Sequence, residues 1–434
     1  MNNNLLSKIR DKSAVIGILG MGYVGIPLLI RFASQNFKVI GFDIEEEKVN
    51  LLNEGKSYFK HIESSCIEDA ILNGFESTSD FSRINEVDAI IICLPTPLKE
   101  NNIPDLSFVI NSIETIKPFL RKDQALSLES TTYPGTTEEE IKPHIESIGL
   151  KIGEDFFLIY SPEREDPGNP NFNPKNIPKI ISGHTSSCLK IAEELYGSVV
   201  DEVIPVSSLR AAEMTKLLEN IYRAVNIGLV NEMKIVADAM DINIHEVISG
   251  ASTKPFGYTP FFPGPGLGGH CIPIDPFYLT WKAKQFNVET RFIELAGQVN
   301  TNMPKWVIKK VVEGLENHEK EISKSKILVL GLAYKKNIDD VRESPAVEII
   351  SLLSEIALTV DYHDPYINKF PKMRRYKLDK SSVELTEKNI NSYDLVLLVT
   401  DHDIYDFDML KKASKLLVDT RGRYKKPCSN IISA

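Results

Sequence analysis

The sequence predicts an α/β protein built from two doubly wound domains with parallel sheets, joined by a long central helical region. Two series of short β-rich apolar runs alternate with helical patterns, one within residues 14–160 and one after Lys324. A long amphipathic stretch over residues 209–240 lies between them. A chain of 434 residues is too long for one core. We therefore expect domains at 1–205 and 311–434, with a connector at 206–310 that carries a glycine-rich loop.

Composition narrows the class of protein. The net charge is -10 and no Lys/Arg-rich run stands out, which argues against a nucleic-acid surface. No apolar run reaches the roughly 20 residues of a membrane span, and no apolar signal segment precedes the first strand, so a cytoplasmic location is expected. The five cysteines are scattered without CxxC spacing, which fits reduced thiols better than a disulfide framework or a metal site.

The first strand runs into a glycine turn that opens a helix. Gly20 permits a tight turn, Gly22 allows a pyrophosphate to approach the backbone, and Gly25 allows close packing of helix on strand. The helix N-terminus favours the anion. The pattern predicts a Rossmann-like domain that binds a dinucleotide through the turn Gly20, Met21, Gly22, Tyr23, Val24 and Gly25.

The second strand ends at Asp43, at the distance where an acid accepts the ribose hydroxyls of the cofactor. This carboxylate would repel a 2′-phosphate, so NAD is favoured over NADP, although Lys48 could soften the preference. The alternative for Asp43 is a helix N-cap.

Three later strands end in polar, proline-marked loops. Ligands of doubly wound sheets gather at the carboxyl ends of the strands, so these loops predict the rim of an active site. Any one of them alone would be an ordinary turn. The candidate residues in them are Pro95, Thr96, Thr131, Glu163 and Arg164.

Within the central helix, Glu213, Lys216 and Asn220 share one face. Lys216 and Asn220 place a cation and an amide donor one turn apart, and the two could hold an oxyanion. The alternative is a solvated face with a Glu213–Lys216 ion pair.

The loop over residues 264–275 carries four glycines and ends in a thiol, Cys271, and a carboxylate, Asp275. Glycine lets the main chain pass close to a ligand. The loop is interpreted as delivering a nucleophile, and the alternative is a surface turn with an incidental cysteine.

The last third repeats the strand and glycine turn, but residues 331–337 lack GxGxxG, so no second NAD is expected. Instead, Lys335, Arg342 and Arg421 place cations where a nucleotide would arrive. Charged loops are common, so each residue alone is weak evidence.

Taken together, these motifs resemble the UDP-glucose/UDP-mannuronate dehydrogenase superfamily, and the likeness spans residues 15–423. The loops at 161–170 and 263–276 look most like UDP-N-acetylglucosamine 6-dehydrogenases of bacterial surface-polysaccharide pathways, since Arg164 follows Pro162-Glu163. Pro167 stands where UDP-glucose enzymes carry a second Glu, so that residue's role is not transferred. UDP-glucose and UDP-N-acetylmannosamine remain alternative substrates.

The resemblance implies a four-electron oxidation of a sugar C6 alcohol to a carboxylate with two NAD+. An aldehyde carried on to an acid needs a nucleophile, which is the role of Cys271. Lys216 and Asn220 would stabilise the oxyanions. Glu163 would act through a water that Thr131 orders, and Asp275 would assist thioester hydrolysis.

The resemblance also implies substrate contacts from Lys335, Arg342, Arg421, Tyr258 and Gly268, in addition to Glu163, Arg164, Lys216 and Asn220. Glu165 and His270 receive no catalytic role. A homodimer or larger assembly built on residues 209–240 is expected. Two further readings stay open: a two-electron dehydrogenase related to the hydroxyacid enzymes, and a silent UDP-sugar-binding protein.

Overall fold

The computed structural model describes residues 4–59, 62–164, 174–269, 272–371, 373, 376, 378–426 and 428–434. The chain divides into two compact units. The first comprises Met1–Glu219 and Phe277–Val288, and the second comprises Asn220–Pro276 and Glu289–Ala434. His270 and Cys271 lie outside the described residues, as does Glu165.

The first unit contains an eight-stranded sheet in the order β3-β2-β1-β4-β5-β6-β7-β8. Adjacent strands pair in parallel except β6 and β7, which are antiparallel. The strands are β1 Val15–Leu19, β2 Lys38–Phe42, β3 Phe75–Thr78, β4 Ala89–Ile92, β5 Gln124–Leu128, β6 Phe156–Tyr160, β7 Lys179–Gly183 and β8 Val203–Pro205. The sequence predicted β1, β2, β4, β5 and β6, whereas β3, β7 and β8 were not predicted.

Helices cover both faces of this sheet, and the strands are buried on both sides, as in a doubly wound fold. Ile16 and Ile18 of β1 belong to one core layer with Phe32, while Leu19 belongs to the opposite layer with Phe42. The helices are α1 Asn4–Arg10, α2 Gly25–Ala33, α3 Glu46–Asn53, α4 Ser64–Leu72, α5 Ser107–Ile116, α6 Lys142–Glu146 and α7 Ser186–Gly197.

The long helix α8, Leu209–Ala239, matches the predicted central helix and runs from the first unit into the second. Its first turn packs into the core of the first unit through Leu209 and Ala212.

The second unit contains a parallel five-stranded sheet in the order β10-β9-β11-β12-β13. The strands are β9 Lys326–Leu330, β10 Thr359–His363, β11 Leu395–Leu398, β12 Leu417–Asp419 and β13 Ile431–Ser433, of which the sequence predicted the first four. The helices after α8 are α9 Ile244–Ala251, α10 Asp275–Lys284, α11 Arg291–Glu316, α12 Pro345–Ile356, α13 Glu387–Ser392 and α14 Phe407–Ala413. Among them, α11 packs on the sheet through Val307, Val311 and Leu315.

The turn after the first strand is built alike in both units. Gly20 and Gly331 have positive φ, 96° and 86°. Asp43 Oδ2 accepts the Met21 N–H at 2.9 Å, and Asp364 Oδ2 accepts the Leu332 N–H at 2.7 Å. The repeated fold type that the sequence predicts is therefore present in detail.

No helix in the described part of the chain is both long and apolar enough to span a membrane.

Candidate active site

The candidate residues of the first unit begin with the glycine turn. A Cβ on Gly25 would lie 2.0 Å from the Gly20 carbonyl oxygen, and a Cβ on Gly20 would lie 2.8 Å from the Cys93 carbonyl oxygen. A Cβ on Gly22 would meet no described atom within 4 Å. Two glycines are thus fixed by the protein's own packing, while Gly22 borders open space through which a ligand can approach the backbone.

Asp43 lies at the end of β2 and is nearly buried. Besides the Met21 N–H, its carboxylate accepts the Glu45 N–H at 3.0 Å. Lys48 pairs with Glu45, with Nζ 2.5 Å from Oε1, so its ammonium faces a carboxylate in this structure. The Tyr58 hydroxyl bonds the Met21 carbonyl, and burial together with Asp43 and Glu45 raises its pKa.

The ends of β4 and β5 are held together by Ser130. Its Oγ accepts the Leu94 N–H at 3.0 Å and donates to the Leu94 carbonyl at 2.7 Å. The Thr96 carbonyl accepts the Tyr278 hydroxyl at 3.0 Å. Thr96 and Thr131 are buried, whereas Pro95 is exposed. The polar loops that follow these strands therefore share one edge of the sheet.

Glu163 follows β6 and is held on both oxygens. The Arg164 N–H donates to Oε1 at 2.6 Å, and Lys179 Nζ donates to Oε2 at 3.1 Å. Burial alone would raise the pKa of Glu163, but Lys179, the Arg164 N–H and Lys216 together hold it below its ordinary value. Glu163 is therefore a carboxylate, the form that a general base requires.

Arg164 is engaged within the first unit. Its guanidinium bonds both carboxylate oxygens of Glu219 on α8, at 3.2 and 2.6 Å, and donates to the Pro178 carbonyl at 2.7 Å. Arg164 fastens the loop after β6 to α8, and its expected role as a substrate contact stays a prediction.

The face of α8 that carries Lys216 is not solvated. Lys216 is 8% exposed and Glu213 is fully buried. Glu213 accepts hydrogen bonds from the Gly135 N–H at 2.5 Å and from Thr137 N and Oγ1 at 2.9 and 2.7 Å. Burial raises the pKa of Glu213 to about 7. The alternative of a solvated Glu213–Lys216 pair is wrong, because Glu213 anchors the loop after β5 instead.

In the second unit, Asn220 and Asp275 are brought together. The Asn220 side-chain amide donates to Asp275 Oδ2, and its carbonyl oxygen accepts from Arg223. Both residues are buried, at 3% and 1% exposure. Asp275 is the first residue of α10, where a carboxylate is favoured by the helix dipole.

The glycine loop that leads to residues 270 and 271 is anchored at both ends of its described part. The Gly264 N–H donates to Asn231 Oδ1 at 2.9 Å, and Asn231 donates to Asn300 Oδ1 at 2.9 Å. At the far end, the Gly269 N–H donates to the Arg342 carbonyl at 3.0 Å. The loop is therefore a fixed segment of the second unit.

The cations that are expected to contact the nucleotide part of the substrate have protein partners. Arg342 makes a two-oxygen pair with Asp340, at 3.0 and 2.6 Å. Arg421 Nε donates to the Val399 carbonyl at 2.6 Å, and its Nη1 lies beside Gly264. Lys335 also has interaction partners, and Tyr258 is 37% exposed.

Comparison with known proteins decides the family. Three models of the UDP-glucose/GDP-mannose dehydrogenase family match in succession: the NAD binding domain at residues 14–200, the central domain at 210–302 and the UDP binding domain at 328–426.

The chain belongs to the UDP-glucose/GDP-mannose dehydrogenase family. Membership makes it an NAD-dependent UDP-sugar dehydrogenase, as the resemblance implied. The residues expected at the dinucleotide turn and in the loops after β4, β5 and β6 fall within the match to the NAD binding domain, and Asn220 and Asp275 fall within the match to the central domain.

Similar family members cover almost the full chain. Protein CapL of Staphylococcus aureus is 35% identical over 414 residues, 94% of this chain and 95% of its own. The UDP-N-acetyl-D-glucosamine 6-dehydrogenase of Pseudomonas aeruginosa is 31% identical over 94% of this chain and 97% of its own. The structure of the UDP-D-ManNAc dehydrogenase of Pyrococcus horikoshii matches with a TM-score of 0.87 and 32% identity, covering 96% of this chain and 98% of that one.

Several residues that shape this dehydrogenase site were not anticipated from the sequence. Lys179, Glu129 and Glu219 bind or flank the loop after β6, and Asn231 anchors the glycine loop. A charged residue inside a strand-like run, as at Lys179 and Glu129, is a sequence signal for a buried polar cluster. Asn231 carries no comparable signal, because its role depends on a loop more than thirty residues away.

Proposed function

We propose that this dehydrogenase oxidises the C6 alcohol of UDP-N-acetyl-D-glucosamine to the carboxylate of UDP-N-acetyl-D-glucosaminuronate, with two NAD+ per sugar, for surface polysaccharide biosynthesis. One observation carries the four-electron reaction: Asp275, four residues after Cys271 in the sequence, is buried and accepts a hydrogen bond from Asn220. A two-electron dehydrogenase has no use for a nucleophile, whereas an acyl intermediate on Cys271 requires a nearby group that assists its hydrolysis.

The first oxidation needs a base and an oxyanion clamp. Bound NAD+ supplies the hydride acceptor. Glu163 takes the hydroxyl proton through a water ordered by Thr131, and its lowered pKa keeps it ionised for that step. Lys216 and Asn220 stabilise the alkoxide, and a donor of this kind is worth roughly 3 kcal/mol.

The second oxidation proceeds on Cys271. The thiolate adds to the C6 aldehyde and forms a C–S bond, with the carbonyl electron pair moving to the oxygen held by Lys216 and Asn220. This thiohemiacetal loses a hydride, for which a second NAD+ would be the acceptor, and becomes a thioester. Water then attacks the thioester carbon with assistance from Asp275, the C–S bond breaks, and the carboxylate and free thiol are released.

The choice of sugar rests on the loop after β6. Arg164 follows Pro162-Glu163, as in the UDP-N-acetylglucosamine enzymes that the chain resembles. Among the relatives, one is a UDP-N-acetyl-D-glucosamine 6-dehydrogenase and another a UDP-D-ManNAc dehydrogenase, so the identities alone do not separate the two sugars. UDP-N-acetylmannosamine and UDP-glucose are the alternative substrates.

A panel of UDP-sugars tests both the sugar and the stoichiometry. NADH is followed by absorbance and the product is identified by mass. We expect two NADH per UDP-N-acetylglucosamine consumed. One NADH with an accumulating aldehyde or ketone would support the two-electron reading, and no NADH with any UDP-hexose would support a silent binding protein.

Replacing the nucleophile tests the covalent step. Cys271→Ala should abolish acid formation while NAD+ still binds, because the thioester can no longer form. Cys66→Ala, which removes a partly buried thiol on α4, is the matched control and should leave acid formation unchanged. Uronic acid produced at the normal rate by Cys271→Ala would rule out the covalent mechanism.

The remaining expectations complete the proposal. Lys335, Arg342 and Arg421 contact the UDP part, and Tyr258 and Gly268 lie along the sugar. We retain a division into an NAD domain at 1–205, a connector at 206–310 and a UDP-sugar domain at 311–434. A cytoplasmic location would keep the catalytic thiol reduced.

A homodimer is proposed on α8 from Tyr222 onward. Five exposed apolar residues there follow one another at intervals of seven, four, three and four residues, which places them on one face of the helix. They are Tyr222, Leu229, Met233, Val236 and, just after the helix, Met240. A single helix face can pack against its own copy across a two-fold axis, so the proposed occupant is a second copy of this chain.

A further inference from the structure

We propose that Lys179 is a positioning residue for this reaction: its ammonium keeps Glu163 ionised and oriented, while Glu129 and Tyr196 hold the ammonium in place. The inference rests on the proposed role of Glu163 as the base. All the contacts of Lys179 used below lie within the first unit.

The reversal of β7 brings Lys179 to Glu163. Strand β7 pairs antiparallel with β6, with Ile159 opposite Gly183 and Tyr160 opposite Ser182. Continuing that register by three residues sets Lys179 opposite Glu163. A parallel β7 would begin at the other edge of the sheet, away from the ligand-facing strand ends. The antiparallel pairing of β6 with β7 therefore has a local consequence at the site.

The neighbouring strand delivers the second carboxylate. In the parallel pairing of β5 with β6, Leu128 is opposite Tyr160, so Glu129 emerges one residue later at the same sheet edge. Lys179 Nζ lies 2.9 Å from Glu129 Oε2 and 3.1 Å from Glu163 Oε2. One ammonium thus bridges two carboxylates that come from adjacent strands.

The ion-paired cluster of Lys179, Glu129 and Glu163 is buried, and the Glu129 oxygen that does not face Lys179 accepts a hydrogen bond as well. The side chains of Lys179, Glu129 and Glu163 are 7%, 0% and 12% exposed. Tyr196 of α7 donates to Glu129 Oε1 at 2.7 Å, and its hydroxyl is 2.7 Å from Ser127 Oγ. The Tyr196 ring also lies 5.1 Å from Lys179 Nζ. Such a satisfied network fixes the ammonium in one position.

The charges divide unequally between the two carboxylates. Burial raises the pKa of Glu129, whereas Lys179, with help from Arg164 N–H and Lys216, lowers the pKa of Glu163. The Cys93 thiol also faces the cluster, but burial and Glu129 raise its pKa, so it stays neutral. The ammonium of Lys179 therefore stabilises the negative charge on Glu163 that catalysis needs, beside a second buried carboxylate.

Removing the cation should therefore disturb ionisation before it disturbs binding. Lys179→Met leaves two buried carboxylates facing each other, and one of them takes up a proton. We expect the acidic limb of the kcat profile to move up by about one to two pH units, so that kcat falls about tenfold near pH 5 and changes much less at pH 8, and KM for NAD+ to change less than threefold. Lys190→Met, on the exposed face of α7, is the matched control and should change none of these.

Two further variants keep the test decisive if Lys179→Met does not fold. Glu129→Gln removes the competing charge while keeping the shape, so the acidic limb should move to lower pH. The double variant Lys179→Met/Glu129→Gln should recover part of the lost kcat, because Glu163 no longer faces a buried like charge. A merely structural lysine would give no opposite shift and no such recovery.

Glu163→Gln separates this inference from the proposed function. If Glu163→Gln keeps normal kcat, the role of Glu163 as the base is wrong. If Glu163→Gln is slow and loses the acidic limb, but Lys179→Met and Glu129→Gln keep the wild-type pH profile, the inference about Lys179 is overturned while the proposed function stands.

Discussion

At the scale of single residues, Lys234 is a buried cation whose burial costs stability. It lies on α8 at 3% exposure. Burial lowers the pKa of Lys234 to about 8, Asp419 partly offsets this, and Arg421 adds repulsion. Because the pKa is lower in the folded than in the unfolded chain, the charged form opposes folding below pH 8.

We expect Lys234→Met to raise the free energy of unfolding at pH 7. The pKa falls from 10.5 to about 8, which corresponds to a penalty on the order of 3 kcal/mol. The unfolded chain binds more protons between pH 8 and 10.5, so the wild type gains stability across that window and the difference between the two proteins shrinks. Urea midpoints at pH 7 and at pH 10 measure both effects.

Lys425→Met is the control for this substitution, because Lys425 is exposed and its removal should change the free energy of unfolding by less than about 0.5 kcal/mol. An equal gain from both variants would mean that general surface charge, and not burial at position 234, sets the stability.

Residue types alone indicated some of these roles and missed others. The turn glycines were interpretable because their constraint is local: Gly20 needs a positive φ and Gly25 has no room for a Cβ. The role of Lys179 was not interpretable, because the antiparallel direction of β7 brings it to Glu163, and no short sequence pattern gives the direction of a strand. Lys234 was missed for a similar reason, since its burial is set by packing far along the chain.

At the scale of elements, the glycine loop shows why its residues must be small. A Cβ on Gly268 would lie 2.4 Å from Tyr334 Cβ, and one on Gly269 would lie 2.9 Å from the Tyr334 ring. Gly266 has a φ of 142° and faces Pro345. The glycines of this loop predict a close approach of the main chain to a ligand, but packing against the protein already requires small residues here.

Gly268→Ala should displace the loop from Tyr334 and lower kcat. The backbone must move because the added carbon meets a Cβ and not a flexible side-chain end, at a cost of about 1–3 kcal/mol in stability. Acid formation should fall more than tenfold, while NAD+ binding, measured by fluorescence titration, should be unchanged.

Gly250→Ala on α9 is the matched control, since a Cβ there meets no described atom within 4 Å. It should leave kcat intact and stabilise the protein by up to about 1 kcal/mol. Normal acid formation by Gly268→Ala would show that the loop tolerates displacement and that Tyr334 does not fix it.

The elements themselves were largely predictable. Short apolar runs predicted β1, β4, β5 and β9, and helical periodicity predicted α8 to within one residue. Strand β7 was missed because it begins with the charged residue Lys179 and ends in Ser182 and Gly183, and β8 was missed because it has only three residues and is partly exposed. Their signal lies in tertiary pairing and not in local propensity.

At the scale of the whole molecule, the apolar face of α8 is the clearest surface feature. Tyr222, Leu229 and Met233 are 49%, 54% and 44% exposed, which is unusual for large apolar residues aligned on one helix face. If this face forms the proposed dimer, a charged residue placed on it is buried in both subunits, because the two-fold axis repeats the substitution.

Met233→Glu should weaken self-association on the order of a hundredfold, because the two-fold contact brings two carboxylates out of water together. Light scattering after size exclusion should show the mass falling toward that of the single 48.8 kDa chain as the protein is diluted. Leu72→Glu, which alters an 84% exposed leucine on α4, is the control and should keep the wild-type mass. A monomeric wild type would contradict the proposed dimer.

The hydrogen bond from the Gly269 N–H to the Arg342 carbonyl bears on how this enzyme can be engineered. Residues 264–269 pack closely against residues 334–345, although about seventy positions separate the two segments in the sequence. Consider a chimera that takes its last third from a relative with another sugar preference. Its glycine loop at 264–269 would come from this chain, whereas the segment that replaces residues 334–345 would come from the relative, so the two would no longer match. Exchange of sugar specificity between family members should therefore succeed only when both segments are transplanted as one cassette.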